Sequence, residues 1–198
     1  MLLLGHVGIT FATALAAESL AKNSHSTSGT RHQGLFGRLH ATITALAQRI
    51  DLRLLIVGSL LPDIIDKPLG LLVLPGVFGT GRLFAHALLF PLALTIAGVW
   101  LHHKRGGCSL LVLAYGSVIH LLLDSMWRTP AILLWPLAGP MPRGGSPETW
   151  LARILETLLT NPAAYWPEIG GAILLAPLAW SILRYGGVGR FVRSGVVS

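Results

Sequence analysis

Within Ala114–Arg128, AYGSVIHLLLDSMWR, an apolar run carries one histidine and one aspartate in the spacing His120-x3-Asp124. On a helix, residues four apart lie one above the other on the same face. The segment is apolar enough to enter a bilayer, where an aspartate costs about 2.5–3.5 kcal/mol on insertion scales. A fold that accepts this cost must offset it with partners. The other ionisable residues set in apolar sequence are His6, Asp63, Asp66 and His86. An imidazole and a carboxylate on one helix face suit a shared cation. They equally suit a buried polar pair joining two helices.

The 198 residues are 53% hydrophobic and only 12% charged. Soluble domains carry about 25% charged residues, so the shortfall points to an integral membrane protein. The net charge of +7 comes from basic residues scattered between apolar runs. That pattern suits a positive-inside bias and argues against nucleic acid as a partner. The single cysteine, Cys108, excludes an internal disulfide and a CxxC metal knuckle. With no internal repeat and no long linker, residues 1–198 read as one membrane-embedded domain.

Taken in order, Leu2–Ala21 is about long enough to span. It lacks a basic start and carries His6 and Glu18, so it is expected to be retained rather than removed as a signal peptide. In Lys22–Arg53, the stretch Leu35–Ile50 has apolar residues at helical spacing and is expected to lie on the membrane surface. Leu54–Phe78 reads as a span broken near Pro62, with Leu69–Phe78 as a re-entrant piece. Arg82–Leu101 and Ser109–Trp127 read as further spans. Ser146–Leu159 reads as an amphipathic helix capped by Ser146 with Pro147 at its first position. Tyr165–Tyr185 closes the series. The expected fold is therefore all-α: a polytopic helical bundle of about five spans with amphipathic surface helices.

Alternating those spans divides the Lys and Arg residues about two to one between the two sides. The richer side is taken as cytoplasmic, which leaves the N-terminus outside and the C-terminus inside. His6, Asp63, Asp66, His86, His120 and Asp124 then fall at one level near the outer face, while the other five histidines fall inside. Three imidazoles and three carboxylates without a thiolate make a mixed N/O metal site, with zinc first and manganese or iron as alternatives. Six donors leave room for more than one ion. They also leave one carboxylate over as general base, for which Asp66 is the candidate. Arg82 is the candidate clamp for an anionic substrate.

Several of these stretches together resemble a known family. Gly58-Ser59-Leu60-Leu61-Pro62-Asp63-Ile64-Ile65-Asp66, then Arg82-x3-His86, then Gly116-x3-His120-x3-Asp124 resemble the YdjM-type, LexA-regulated membrane-bound metal-dependent hydrolases. Gly5-His6 resembles that family's N-terminal histidine. The resemblance implies metal ligation by His6, Asp63, His86, His120 and Asp124, and a bacterial inner-membrane location. It also implies a distant similarity to the zinc-dependent phospholipase C and single-strand nuclease superfamily. The third motif departs from the family's His-Arg-Gly-x-Thr-His-Ser, since here it reads Gly81-Arg82-Leu83-Phe84-Ala85-His86-Ala87.

The expected activity is hydrolysis of an ester or phosphoester at the metal site, with membrane lipids as surroundings and a lipid as one candidate substrate. The alternative is a non-enzymatic transporter or scaffold that uses the same cluster as a cation or proton relay. Substrate, metal number and oligomeric state are not legible at this level.

Overall fold

A computed structural model describes residues 3–23, 48, 50–143 and 150–195. The described residues are helical or irregular, without a strand. The helices are α1 (Leu3–Asn23), α2 (Leu52–Pro68), α3 (Leu89–Arg105) and α4 (Ser109–Leu123). They continue with α5 (Pro130–Leu133), α6 (Trp150–Thr160), α7 (Pro162–Ser181) and α8 (Val188–Ser194). The predicted surface helix Leu35–Ile50 lies outside the described residues but for 48 and 50, and so does the predicted cap at Ser146 and Pro147.

The all-α class stands, but the count of about five spans does not. Among the described residues, two helices are long and apolar enough to cross a membrane. These are Leu3–Leu20 and the 23 residues of Pro162–Arg184, each with mean hydropathy 1.3. The reason is length. The expected span from Arg82 begins helically only at Leu89, and α3 ends in His102, His103, Lys104 and Arg105. At 1.5 Å per residue α2 and α3 are about 25 Å long and α4 about 22 Å, short of a hydrocarbon core of about 30 Å. The orientation derived by alternating five spans has no basis once only two helices qualify.

Helix α4 packs against α2, α1 against α7, and α3 against α4. Glycines set the closest crossings. A Cβ on Gly116 of α4 would stand 2.5 Å from the carbonyl carbon of Gly58 on α2. A Cβ on Gly8 of α1 would overlap the backbone of Gly171 on α7. Such backbone-to-backbone contact is how helices associate where hydrocarbon removes the hydrophobic drive. Between these crossings Phe11, Ala14, Leu52, Leu55, Val112 and Leu178 form the core. Outward, α3 shows Leu92, Ile96 and Trp100, and α7 shows Trp166, Ile173 and Trp180. Exposed apolar surface of this extent marks a membrane-associated chain.

Pro62 does not break α2, contrary to expectation; the helix runs through it to Pro68. Proline lacks the N–H that would bond the carbonyl four residues back. Here that carbonyl belongs to Gly58, and it lies 3.3 Å from the Ser117 hydroxyl of α4, whose shorter contact, at 2.9 Å, is to the Leu113 carbonyl of its own helix. The neighbouring helix thus shares one hydroxyl with the carbonyl that the proline leaves free. Past Pro68 the chain makes one wider turn, Leu69–Val73, and leaves the helix.

The start of α2 is tied to the end of the chain. Asp51 caps the helix by accepting from Arg53 N–H at 2.9 Å, and the Arg53 guanidinium bonded to it holds its carboxyl below the usual range. Arg53 also donates to the Val192 carbonyl of α8 at 2.9 Å.

The α2–α4 crossing yields a direct test. Gly116→Val should force the two helices apart and cost about 1–3 kcal/mol, as overpacking does. Gly107→Ala, with no atom near its added Cβ, should change little. Thermal unfolding in detergent would compare them, and equal melting temperatures would refute the role given to Gly116.

Candidate metal centre

Helix α2 contributes Asp63 and Asp66, α4 contributes His120, and α1 contributes His6. Asp124 follows α4 directly, where Ser125 takes a left-handed φ of 54° and turns the chain away. His86 comes from the irregular stretch between Val73 and Leu89. The side chains of His6, His86, Asp66 and His120 are wholly buried.

Two overlapping groups form. His6, His120 and Asp124 bring their ligand atoms within 4.8 Å of one another, and so do Asp63, His86 and His120. Each group is capable of holding a metal ion. His6 Nε2 stands 3.2 Å from Asp124 Oδ1. His86 Nε2 stands 3.6 Å from Asp63 Oδ1 and 3.9 Å from Asp124 Oδ2. His120 Nε2 stands 3.9 Å from Asp63 Oδ1. The His6 and His120 rings stack with centroids 4.1 Å apart.

The hydrogen bonds on the far side of two rings decide which nitrogen faces inward. His120 Nδ1 lies 2.7 Å from the Ser59 carbonyl oxygen. A carbonyl only accepts, so Nδ1 carries the proton and Nε2 presents a lone pair. His86 Nδ1 lies 2.7 Å from Asp66 Oδ2, and donation to that carboxylate leaves its Nε2 in the same state. The two Nε2 atoms face each other at 3.3 Å. Two lone pairs at that distance repel until a cation or a proton lies between them. The donor set fits a metal, since imidazoles braced by a carboxylate or carbonyl on the outer nitrogen are the usual arrangement of metal-ligating histidines.

Asp66, the expected general base, has both carboxylate oxygens engaged. Its Oδ2 accepts from Leu83 N–H at 2.6 Å, His86 N–H at 3.1 Å and the His86 ring, and its Oδ1 accepts from Ala85 N–H at 3.1 Å. The carboxylate organises the irregular stretch that carries His86. That stretch is non-helical because its amides bond to Asp66 rather than along a helix. Leu88 N–H to the Leu133 carbonyl at 2.8 Å and Phe84 against Trp135, with centroids 5.0 Å apart, hold its other side.

Arg82 reaches the centre through Asp124, with Nε at 3.1 Å and Nη2 at 2.8 Å from Oδ2. Lys67, which sequence reasoning passed over, reaches it through Asp63, with Nζ 2.6 Å from Oδ2. Its signal was present as an i,i+4 pair on α2. The Ser59 carbonyl was illegible in the sequence, because a backbone acceptor leaves no residue-type signature.

Asp66→Asn should expose what the carboxylate does. An amide replaces one acceptor oxygen by a donor, which meets N–H groups and leaves a buried clash worth about 1–3 kcal/mol. Amide exchange at Leu83, Ala85 and His86 should accelerate, and metal affinity should fall about 10–100-fold. Unchanged protection at those three amides would refute the assignment.

Compared with known proteins, residues 1–190 match the family described as YdjM inner membrane protein. Neither a curated protein nor a solved structure matches the chain significantly.

Proposed function

The chain belongs to the YdjM inner membrane protein family, and on that premise we propose that it is a membrane-bound, metal-dependent hydrolase of esters or phosphoesters. The observation that carries this reading is the pair of imidazole Nε2 atoms 3.3 Å apart beside two carboxylates.

The centre is a single-ion site. His120 has one nitrogen to give, because the other is spent on Ser59. The two groups that share it therefore share its ion. Donor-to-donor separations of 3.2, 3.3, 3.6 and 3.9 Å are close to the edge of about 3.4 Å expected around one ion with bonds of about 2.1 Å. His6, Asp63, His86, His120 and Asp124 are the ligands. Three imidazoles with two carboxylates favour zinc, with manganese and iron next.

A divalent ion in this position supplies a Lewis acid and lowers the pKa of bound water. The chain's own residues do the rest. Asp66 fixes the His86 ring and its tautomer, so it is a positioning residue. Arg82 and Lys67 hold Asp124 and Asp63 by their outer oxygens, which aims the inner oxygens at the ion. Burial of the histidines excludes bulk water from all but the exposed side. Hydrolysis adds water oxygen to the acyl carbon or the phosphorus, breaks the ester bond and passes the water's proton to the leaving alcohol. The apolar side chains Leu72, Val73 and Val77, exposed just beyond Lys67, support a substrate that arrives from lipid.

Elemental analysis of the purified chain should find about one divalent ion per chain. His120→Ala should lose it, and hydrolysis of an ester and phosphoester panel should vanish in His120→Ala and Asp124→Asn. A wild type without metal, prepared without chelators, would overturn the proposal, and so would retained hydrolysis in both variants.

A further inference from the structure

The charges at the exposed side of the centre are arranged in a matched way. Each of the two ligand carboxylates points one oxygen at the histidines and gives the other to a cation on a neighbouring position. Asp63 gives Oδ2 to Lys67, and Asp124 gives Oδ2 to Arg82. The Lys67 and Arg82 side chains are 31% and 44% exposed, whereas the histidines behind them are fully buried. Both cations border one centre, since His86 Nε2 lies 3.6 Å from Asp63 Oδ1 and 3.9 Å from Asp124 Oδ2 of the carboxylates that hold them. A Cβ on Gly81, the residue before Arg82, would stand 2.9 Å from Lys67 Cγ, so the chain leading to Arg82 lies on the Lys67 stem. Only glycine lets it lie that close.

Charge counting gives this arrangement a direction. With neutral imidazoles, the buried Asp66 and the partly buried Asp63 and Asp124 carry three negative charges. A divalent ion with Lys67 and Arg82 supplies four positive ones. The loaded centre is therefore net positive, and its excess lies on the exposed side. Without these two cations it would be net negative and would repel an anion. A neutral carboxylic ester needs neither cation, whereas a phosphoryl group uses both: a guanidinium for two oxygens and an ammonium as a point charge.

We propose that Lys67 and Arg82 form the recognition site for the phosphoryl group of an anionic phosphoester, which narrows the substrate class of the centre. This inference rests on the metal-dependent hydrolase reading. It makes Lys67 a specificity residue rather than a surface ion pair. On substrate binding each cation moves part of its contact from the carboxylate, then shared with the ion, to the phosphoryl oxygens.

The test uses the full chain in detergent with its metal content measured first. Titration calorimetry with inorganic phosphate should show binding to the loaded wild type. Lys67→Gln and Arg82→Gln should each weaken it about tenfold or more, the loss expected for one charge-assisted contact of about 1.5–3 kcal/mol. Lys67→Arg, which keeps the charge, should retain most of the affinity, and Arg82→Lys, which keeps the charge but not the two-oxygen grip, should fall between the wild type and Arg82→Gln. Displacement of bound phosphate by soluble glycerol phosphate or by short-chain phosphatidic acid assigns a free or a lipid source, and displacement by neither overturns the proposal. A loaded wild type indifferent to phosphate, or glutamine variants that keep their metal and bind phosphate as the wild type does, overturns this inference and leaves the hydrolase reading standing. A wild type that holds no metal overturns both.

Discussion

The backbone approach of α2 to α4 is the constraint on which the rest depends. Gly58 and Gly116 let the two helices touch through their main chains. At that distance the Ser117 hydroxyl reaches the carbonyl that Pro62 leaves free, and His120 reaches the Ser59 carbonyl. The helix α2 runs on through its proline beside the first contact, which places Asp63 and Asp66 one turn further along the same helix. The second fixes the His120 ring and turns its lone pair toward them. A side chain at either glycine would separate both pairs at once, so packing and site chemistry share one origin.

From that frame the centre is built inward by hydrogen bonds that saturate each outer atom. Asp66 spends its oxygens on three amides and the His86 ring, Ser59 takes the His120 proton, and Lys67 and Arg82 take the outer carboxylate oxygens. What remains unspent converges: imidazole nitrogens and inner carboxylate oxygens within a few ångströms. Buried polar atoms carry a high cost when unsatisfied. Where the His86 and His120 nitrogens and the inner carboxylate oxygens meet, electron-pair donors crowd together, an arrangement that suits a cation. The same economy explains why His86 can sit on an irregular stretch. Its amides are satisfied by a carboxylate, so no helix is needed there.

The membrane enters through different parts of the chain. Helices α1 and α7 are long and apolar enough to cross and pack on each other through Gly8 and Gly171, whereas the helices that build the centre are shorter. His6 joins the two regions, since it lies on α1 and yet faces Asp124. The site is therefore supported partly by a membrane-length helix.

Much of this was legible in residue types and spacings. The apolar composition, the ionisable residues set in apolar runs and the i,i+4 relation of His120 and Asp124 pointed to a helical membrane protein and to the five residues that do meet, with Asp66 behind His86. Local pattern reports which residues are costly to bury, and costly residues seek each other. Pattern failed where a partner lay elsewhere in the chain. Pro62 reads as a break because the hydroxyl beside the carbonyl it leaves free comes from Ser117, 55 positions later. The region from Arg82 reads as a span because hydropathy does not register that Asp66 captures its amides. At Asp66 a sequence shows a carboxylate but not the four donors that surround it. Which residues would meet follows from the sequence, through the cost of burying charge; which atom each offers was decided by tertiary structure, through the directions of hydrogen bonds.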